Sequence, residues 1–307
     1  MKANSPYLVR GVSWTPRGPV LGLSGAEGTA EEFQLAAGTE LRFQVLTTPG
    51  VRHCLGYSTV EGLTTRQQFG CLDYSHAERG FQCGRCFSRD DFRFLHDIHR
   101  SGIAPPGLQA YVDQEHWLYV ATFADGASKV GTASHRSKFS RLAEQGAVVA
   151  RYVGWAEDGR IIRHLEDAVT DHLGLGQAVR SAAKLVALAN PLPAQELDRI
   201  NSDKAVEVRL MLDGGNGLPG SHSVSEQWHR PEAAKAVCEA GPGVLYPHEL
   251  GAGRHGLRIS AAHGSYVRAG IDDSEVEFLA DLSRLKGKRI EFGQYSSDVP
   301  AVQEFLF

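Results

Sequence analysis

The sequence predicts an α+β protein, and three features of the chain lead to this prediction. Segments that alternate apolar and charged residues recur towards both ends, as half-buried strands do. Between them, one stretch reads in the order strand, strand, helix, strand, helix. Four of the five cysteines are concentrated in one short segment. We therefore expect a β-rich N-terminal unit, a metal-binding segment, an α+β core and a mixed, β-rich C-terminal unit, at residues 1–52, 53–107, 108–190 and 191–307.

The N-terminal unit is predicted to consist of short strands separated by glycine-containing breaks, at residues 7–12, 19–23 and 40–46. In the third strand, Leu41, Phe43 and Val45 alternate with polar residues, which predicts one buried face. Residues 38–43 and 287–292 are alike, because in each a glycine turn leads into a strand of alternating charged and apolar residues. If this similarity is structural, the two ends form similar β units, or one composite β domain.

The metal-binding segment is predicted from Cys54, Cys71, Cys83 and Cys86. The last two have C-x-x-C spacing, and Gly84 makes that turn easy. Thiolates that converge from two short loops can hold a structural Zn²⁺ at ~2.3 Å. Because four thiolates leave no open ligand position, we expect a closed, structural zinc site and not a catalytic one.

Other interpretations of the cysteines and histidines stay open. A disulfide or redox pair would need an oxidising compartment or a βαβ context, whereas the first residues contain no apolar stretch of signal-peptide length. We therefore expect a reduced, cytoplasmic protein. His53 and His76 are possible substitute ligands, and Cys238 is most simply a small apolar residue. His96 and His99 have H-x-x-H spacing, but exposure on a helix is the simpler interpretation for that pair.

The core is predicted as a hairpin followed by a helix, a third strand and a second helix, with strands at 116–123, 128–132 and 147–155 and helices at 135–145 and 160–173. Ser134 can cap the first helix, and Gly146 and Gly174 stand where the two helices should end. The second helix carries an apolar stripe at helical spacing, formed by Ile161, Ile162, Leu165, Val169 and Leu173.

After the core, the sequence predicts a third helix, a strand and a glycine-rich surface loop, at 176–189, 205–211 and 213–223. Arg180 and Lys184 lie one turn apart on that helix. A solvated helix face is the simpler interpretation of this pair, and a phosphate-contacting strip is the alternative.

Composition limits the classes of function. At 307 residues with 42% hydrophobic content, the chain can bury the cores of about two domains. The formal net charge of −4 argues against a globally basic nucleic-acid binder but allows a local basic groove. No apolar stretch approaches the ~20 residues needed to span a bilayer, so no membrane role is expected.

The hairpin carries two tripeptides, WLY at 117–119 and KVG at 129–131. This order of elements, with a tyrosine in the first strand and Val-Gly in the second, resembles the core of the GIY-YIG nucleases. In that superfamily the hairpin carries both signature tripeptides, the next helix supplies an arginine, and a later helix supplies a glutamate that holds one metal ion. The resemblance assigns these roles to Tyr119, Arg141 and Glu166.

Two positions depart from the GIY-YIG pattern. Trp117 stands in place of a glycine, and Lys129 stands in place of the second tyrosine. A lysine can contact phosphate, whereas the loss of the tyrosine weakens the case for hydrolysis. Over residues 7–185 the chain also resembles a bacterial family, a domain of unknown function that joins a zinc-binding segment to a GIY-YIG-like core. This resemblance implies a fold more than an activity.

Three hypotheses for the function follow. The first is a metal-dependent phosphodiesterase that acts on DNA or RNA, with Mg²⁺ or Mn²⁺ on Glu166, a base in Tyr119, a phosphate clamp in Arg141 and an auxiliary cation in Lys129. It requires the pKa of Tyr119 to fall below its ordinary value of ~10. The second is a non-catalytic, zinc-stabilised nucleic-acid-binding module. The third is a small-molecule biosynthetic enzyme that uses the same pocket.

Overall fold

The structure, a computed structural model, describes residues 5–25, 28–61, 65–95, 98–102, 106–272 and 274–298. It is a mixed α+β protein, as the sequence predicts. Of the predicted histidine pair, His96 and the side chain of His99 lie outside the described residues.

The secondary-structure elements are numbered in chain order. The strands are β1 Pro6–Thr15, β2 Gly18–Ser24, β3 Ala30–Gln34, β4 Glu40–Val45, β5 Tyr57–Glu61, β6 Thr65–Phe69, β7 His116–Thr122, β8 Ser128–Ser134, β9 Val149–Ala156, β10 Ser221–Gln227, β11 Val244–Leu245, β12 Arg254–His263, β13 Tyr266–Gly270, β14 Glu277–Asp281 and β15 Arg289–Phe292. The helices are α1 Gly84–Arg89, α2 Ile98–Ser101, α3 Pro106–Val112, α4 Lys138–Gln145, α5 Gly159–Leu173, α6 Ser181–Ala189, α7 Ala194–Met211 and α8 Glu232–Glu239.

Within the described residues, nine strands form one sheet, the large sheet, in the order β11, β14, β13, β12, β4, β15, β1, β2, β3. β4 and β15 pair antiparallel, with Phe43 opposite Phe292. The similar segments 38–43 and 287–292 therefore lie side by side, and strands from both ends of the chain share one sheet. Its buried core includes Val9, Leu21, Leu23, Leu41, Phe43, Leu257, Val267, Leu282 and Ile290.

A second sheet of the described residues, the core sheet, has four antiparallel strands in the order β10, β9, β7, β8. Alternate side chains of β7 face opposite sides. Leu118 and Val120 belong to the apolar cluster with α5 and α7, whereas Tyr119 and Ala121 belong to the cluster with α4. The chain order β7, β8, α4, β9, α5 is the predicted strand, strand, helix, strand, helix order. Gly146 ends α4 and Gly174 ends α5, each in the left-handed conformation, at the positions that the sequence predicts.

The structure corrects three predictions after the core. Residues 205–211 are not a strand, because they form the end of α7, whose buried residues follow helical spacing over 18 positions. A window of seven residues is too short to reveal that period. The third helix begins at Ser181, later than predicted, because Arg180 before it is extended. The predicted loop at 213–223 ends inside β10, which pairs with β9.

Other elements were not anticipated. The predicted helix at 135–145 is a 3₁₀ turn, His135–Ser137, followed by α4. The strands β3, β5, β6 and β11 to β14 and the helices α1, α3 and α8 had no predicted counterpart. Among the residues that the structure describes, no helix combines the length and the apolar character needed to cross a membrane.

The two sheets meet at a close contact between Gly146, after α4, and Gly264, in the turn between β12 and β13. Both glycines have positive φ, and a Cβ on Gly264 would lie 2.8 Å from the Gly146 Cα. His263 is fully buried beside them, with Nε2 2.9 Å from the Gly146 carbonyl oxygen. Trp14 Nε1 donates to the Gly264 carbonyl oxygen at 2.9 Å. These contacts fix the end of α4 against the large sheet.

Asn201 is fully buried on α7 and connects this helix to the core sheet. Its amide nitrogen donates to the Val120 carbonyl oxygen at 3.1 Å and to Thr122 Oγ1 at 2.9 Å, and its oxygen accepts from Arg151 at 2.9 Å. We predict that Asn201→Ala lowers the free energy of unfolding by about 2–3 kcal/mol, because buried partners lose their hydrogen bonds. Chemical denaturation tests this. The exposed Arg199→Ala on the same helix should cost less than about 0.5 kcal/mol, and equal effects would contradict the prediction.

Candidate functional site

The cysteine module, residues 53–90, brings four sulfur atoms together. The Sγ atoms of Cys54, Cys71, Cys83 and Cys86 all lie within 4.8 Å of one another, and those of Cys71 and Cys83 are 3.9 Å apart. A tetrahedral ion with metal–sulfur bonds of ~2.3 Å places its sulfurs about 3.8 Å apart. The four cysteines are therefore positioned to hold a metal ion. All five cysteines of the chain are free of disulfide bonds, so the structure does not contain the alternative disulfide.

Local structure explains why the sulfurs converge. Cys83 precedes α1 and Cys86 lies within it, so the C-x-x-C spacing turns both sulfurs to one side of a helix start. Cys54 Sγ accepts hydrogen bonds from the backbone N–H groups of Gly56 at 3.3 Å and Cys83 at 3.2 Å. Such bonds stabilise a metal-bound thiolate. Burial raises the pKa of the Cys54 and Cys86 thiols, so a metal ion that binds here must displace protons.

His53 and His76 do not lie where substitute ligands of the sulfur cluster would have to lie. They pair with each other in a β-bridge, with ring centroids 5.4 Å apart. The group of metal-ligating atoms that converge contains the four sulfurs and neither histidine.

Tyr119 lies inside the core sheet and is fully buried. It pairs with Gly131 of β8, where a Cβ would come within 2.5 Å of the Tyr119 hydroxyl oxygen. The glycine of the KVG tripeptide is therefore needed, because the tyrosine ring crosses it. Gln145 Nε2 donates to the Tyr119 hydroxyl at 2.9 Å. Burial raises the pKa of Tyr119, and Arg141 opposes that rise only in part. A catalytic base needs the opposite shift.

Lys129 and Arg141 lie beside this tyrosine, and a third cation, Lys184, lies near both of them. Lys129 Nζ lies 5.7 Å from the Tyr119 ring centroid. Burial, followed by repulsion from Arg141, lowers the pKa of Lys129 to about 8. Burial, followed by repulsion from Lys129 and Arg141, also lowers the pKa of Lys184 to about 8. We name Tyr119, the three cations, Gln145 and Glu166 the tyrosine–cation site.

The sequence does not place Gln145 or Lys184 in this site. It predicts Gln145 as the last residue of a helix and Lys184 as part of a solvated helix face. Lys184 Nζ donates to the Gln145 carbonyl oxygen at 2.9 Å and lies 4.1 Å from the Phe123 ring centroid. Gln145 Oε1 is buried and accepts no hydrogen bond from the described residues. A donor group of a ligand would satisfy this oxygen. The sequence contains one signal for Lys184, its position one helical turn after Arg180. That spacing allowed a phosphate-contacting strip.

Glu166 belongs to the site, but its carboxylate already has a partner. It lies on α5, is 4% exposed, and its Oε2 is 2.7 Å from Arg163 Nη1. Its charge acts on the pKa of both Tyr119 and Lys129, so it lies near both side chains. Arg163 is placed to form this ion pair because it lies one turn away on the same helix.

No protein-family model, curated protein or solved structure matches this chain. The resemblance to GIY-YIG nucleases therefore stays a prediction from two tripeptides and two spacings. The chemistry has to be argued from the site itself.

The donor set of the tyrosine–cation site does not fit a catalytic Mg²⁺ or Mn²⁺. Such ions prefer several carboxylate, carbonyl and water oxygens. Glu166 instead accepts from Arg163, and its neighbours Lys129 and Arg141 repel a second cation. The same arrangement attracts an anion. A phosphate group matches it well, because guanidinium and ammonium groups both donate charge-assisted hydrogen bonds to phosphate oxygens.

Exposure decreases from one cation to the next. Arg141 is exposed, Lys184 is half-buried and Lys129 is 8% exposed. Arg141 is therefore the cation of this site that is most open to solvent. Charge is screened less around the buried Lys129 than around Arg141.

We predict that the purified protein carries about one metal ion per chain on the cysteine module and that Cys86→Ser loses it. The metal-free variant should unfold at a lower temperature, because metal binding contributes directly to the folding of a small module. Elemental mass spectrometry and thermal denaturation measure both effects. Cys238→Ser, outside the module, should keep its metal. A full metal content in Cys86→Ser would refute the assignment.

Proposed function

We propose that this protein binds the phosphodiester backbone of a nucleic acid at the tyrosine–cation site, and that its GIY-YIG-like core is a binding module stabilised by structural zinc. The observation that carries the proposal is the convergence of Lys129, Arg141 and Lys184 in one part-buried site. Glu166 offsets little of this positive charge, because it is already paired with Arg163.

The departures from the GIY-YIG pattern support binding over hydrolysis. Lys129 adds a positive charge where the superfamily has a tyrosine hydroxyl. The raised pKa of Tyr119 also favours binding over hydrolysis. A phenol that keeps its proton can donate a hydrogen bond to a phosphate oxygen, but it is a poor acceptor of a proton from water.

The surface beside the site suits a polymer better than an isolated phosphate. Arg136, in the 3₁₀ turn before α4, is exposed, and Phe139, in the first turn of α4, is 46% exposed. Lys138 lies between them in sequence; its Nζ is 4.4 Å from the Trp117 ring centroid and pairs with Glu226 at 2.7 Å. Proteins that bind single strands combine cations for the phosphates with aromatic rings for the bases. We therefore expect a single strand to continue from the tyrosine–cation site along α4.

For the cysteine module we propose zinc. Four thiolates in tetrahedral reach are the typical ligand set of a structural Zn²⁺, and this ion needs no further ligand from solvent. The elemental analysis described above identifies the ion, and iron in its place would contradict this proposal.

Metal-dependent cleavage of nucleic acid is the second candidate function. The observation that favours it is the position of Glu166, whose charge acts on Tyr119 beside Arg141. Cleavage would require Glu166 to exchange its Arg163 partner for a metal ion. A small-molecule enzyme at the same pocket is the third candidate, and no contact favours it specifically.

We predict that the protein binds a fluorescein-labelled single-stranded oligonucleotide with an affinity that falls as salt rises. Arg141→Ala should weaken binding about tenfold and reduce the salt slope by about one, because one phosphate contact is lost. Lys184→Ala should act similarly. Fluorescence anisotropy at increasing KCl measures both quantities. Arg199→Ala, an exposed arginine paired with Asp203 on α7, is the matched control and should change affinity less than about twofold.

The outcomes separate the candidates. Binding without cleavage in Mg²⁺ or Mn²⁺ is the result that supports the proposed function. Cleavage that Glu166→Gln and Tyr119→Phe both abolish would establish the nuclease hypothesis in its place. Affinity that is absent, or that Arg141→Ala and Lys184→Ala leave unchanged, would show that the tyrosine–cation site does not bind nucleic acid.

The affinity for the oligonucleotide should fall as pH rises above about 8, since the pKa values of Lys129 and Lys184 are both lowered to about 8. Below that pH both lysines are charged and attract phosphate. Above it they lose their protons, and only Arg141 keeps its charge. Bound phosphate favours the charged lysines, so in the complex the lysines lose their protons at a somewhat higher pH than in the free protein. Anisotropy titrations at pH values below and above 8 test this. Replacing both lysines with methionine should remove the dependence, and a flat wild-type profile would contradict it.

A further inference from the structure

A row of aromatic side chains crosses the core sheet on the side of α4. Trp117 on β7 is opposite Trp155 on β9, and Trp155 is opposite His222 on β10. Both tryptophans pack in the apolar cluster of α4, so the row lies on the face of the sheet that also carries Tyr119. Adjacent strands are about 4.8 Å apart, so these side chains are neighbours. We name them, together with His135 beside Trp117, the aromatic row.

Ring contacts orient the members of the aromatic row. His222 stacks on Trp155, with ring centroids 5.4 Å apart and an interplanar angle of 19°. His135 lies against Trp117, with ring centroids 5.5 Å apart. Because each ring is restricted by a neighbour before a ligand arrives, less conformational entropy is lost when a ligand binds.

The aromatic row is open to solvent at both of its ends. The side chain of His135 is 71% exposed, and His222 is exposed as well. Trp155 is half-buried, whereas Trp117 is buried, with His135 and Lys138 against its ring. A ligand can therefore reach the rings of Trp155 and His222, and Trp117 supports the row from below.

Two acidic side chains lie beside the aromatic row, and both have partners. Glu226 on β10 pairs with Lys138 at 2.7 Å, and Glu115 Oε2 lies 3.6 Å from His135 Nδ1. Lys138 Nζ also lies 4.4 Å from the Trp117 ring centroid, which restrains it further. The row therefore offers flat rings to a ligand, while the positive charge that suits phosphate lies in the tyrosine–cation site.

The aromatic row and the tyrosine–cation site adjoin each other on one face of the sheet. Tyr119 follows Trp117 by two residues on β7, and both side chains pack in the same cluster. The helix α4 runs from Lys138, beside the row, to Gln145, beside Tyr119. Its eight residues span about 12 Å. One extended strand of a few nucleotides can therefore contact both places.

Accessible rings next to a phosphate site suit the unpaired bases of a nucleic acid. Every base has a flat π face, so stacking on aromatic side chains tolerates any sequence. Sheets that bind RNA hold two or three unpaired bases on aromatic side chains in this way. In a duplex the bases are stacked on one another and do not reach such rings. The aromatic row therefore favours a single strand.

We propose that the aromatic row binds unpaired bases of the single strand whose phosphates lie in the tyrosine–cation site, an inference that rests on the proposed function. Trp155 and His222 stack on the bases, and Trp117 and His135 position them. Recognition is tolerant of base sequence and selective for single strands over duplexes, because it reads ring faces and not base edges.

Fluorescence anisotropy with a fluorescein-labelled oligothymidylate and an abasic strand of the same length tests the proposal. Trp155→Ala should weaken binding of the intact strand about tenfold without changing the salt slope, because a stacking contact and no phosphate contact is lost. On the abasic strand the same variant should cost less than about twofold, since no base remains to stack. Arg141→Ala should weaken both strands alike. Tyr295→Ala, a half-buried aromatic residue after β15, is the matched control and should change neither affinity.

Tryptophan fluorescence gives a second readout on conservative variants. The chain contains four tryptophans. Oligothymidylate should quench the emission of the wild-type protein, and the abasic strand should quench it far less. Trp155→Phe should lose most of this quenching but keep its affinity within about threefold, because phenylalanine also stacks on bases. Trp14→Phe, at a buried position, should keep the quenching.

Three results would overturn the base-stacking role and leave the proposed function standing. The first is an affinity for the intact strand that Arg141→Ala weakens and Trp155→Ala does not. The second is an equal loss for intact and abasic strands in Trp155→Ala, and the third is an equal affinity for the single strand and its duplex. If neither strand binds to the wild-type protein, the proposed function fails, and the base-stacking role fails with it.

Discussion

The contact between Gly146 and Gly264 is the constraint on which the tyrosine–cation site depends. No side chain fits between these two backbones, because a Cβ on Gly264 would lie 2.8 Å from the Gly146 Cα. The contact joins the end of α4 to the large sheet. Gln145, directly before it, is thereby directed at the Tyr119 hydroxyl, and its carbonyl oxygen receives the Lys184 ammonium. A site built on the core sheet is therefore completed by contacts with the other sheet.

Burial and charge oppose each other at this site, and their balance indicates its chemistry. Burial favours the neutral form of Tyr119 and of the two lysines, and the lysines and Arg141 also repel one another. An anion relieves that repulsion, whereas a divalent cation would increase it. The Arg163–Glu166 pair strengthens this preference, since it occupies the carboxylate that a metal would need. The charges of this site therefore suit an anion better than a divalent cation.

The cysteine module also forms one side of a cleft on the large sheet. The hydrogen bond from Cys83 N to Cys54 Sγ joins its two loops, and residues next to these cysteines line the cleft above β1, β2 and β3. Asp90 adds to this rigidity, because it accepts from the Ser58 backbone N–H at 3.0 Å and from the Gln82 amide at 2.7 Å. A metal ion on the four sulfurs would tie both loops together and add to this rigidity.

The sequence by itself determined the features that rest on local spacing. These are the α+β class, the order of elements from β7 to α5, the glycines that end α4 and α5, and the convergence of the four cysteines. It also selected Tyr119, Lys129, Arg141 and Glu166, which the structure brings together. Only the tertiary structure decided which distant groups complete that site, because Gln145 and Lys184 act through contacts that no local period encodes. It also decided that Gly11, Gly22 and Glu32 become neighbours, since three strands must pair in register before distant residues meet.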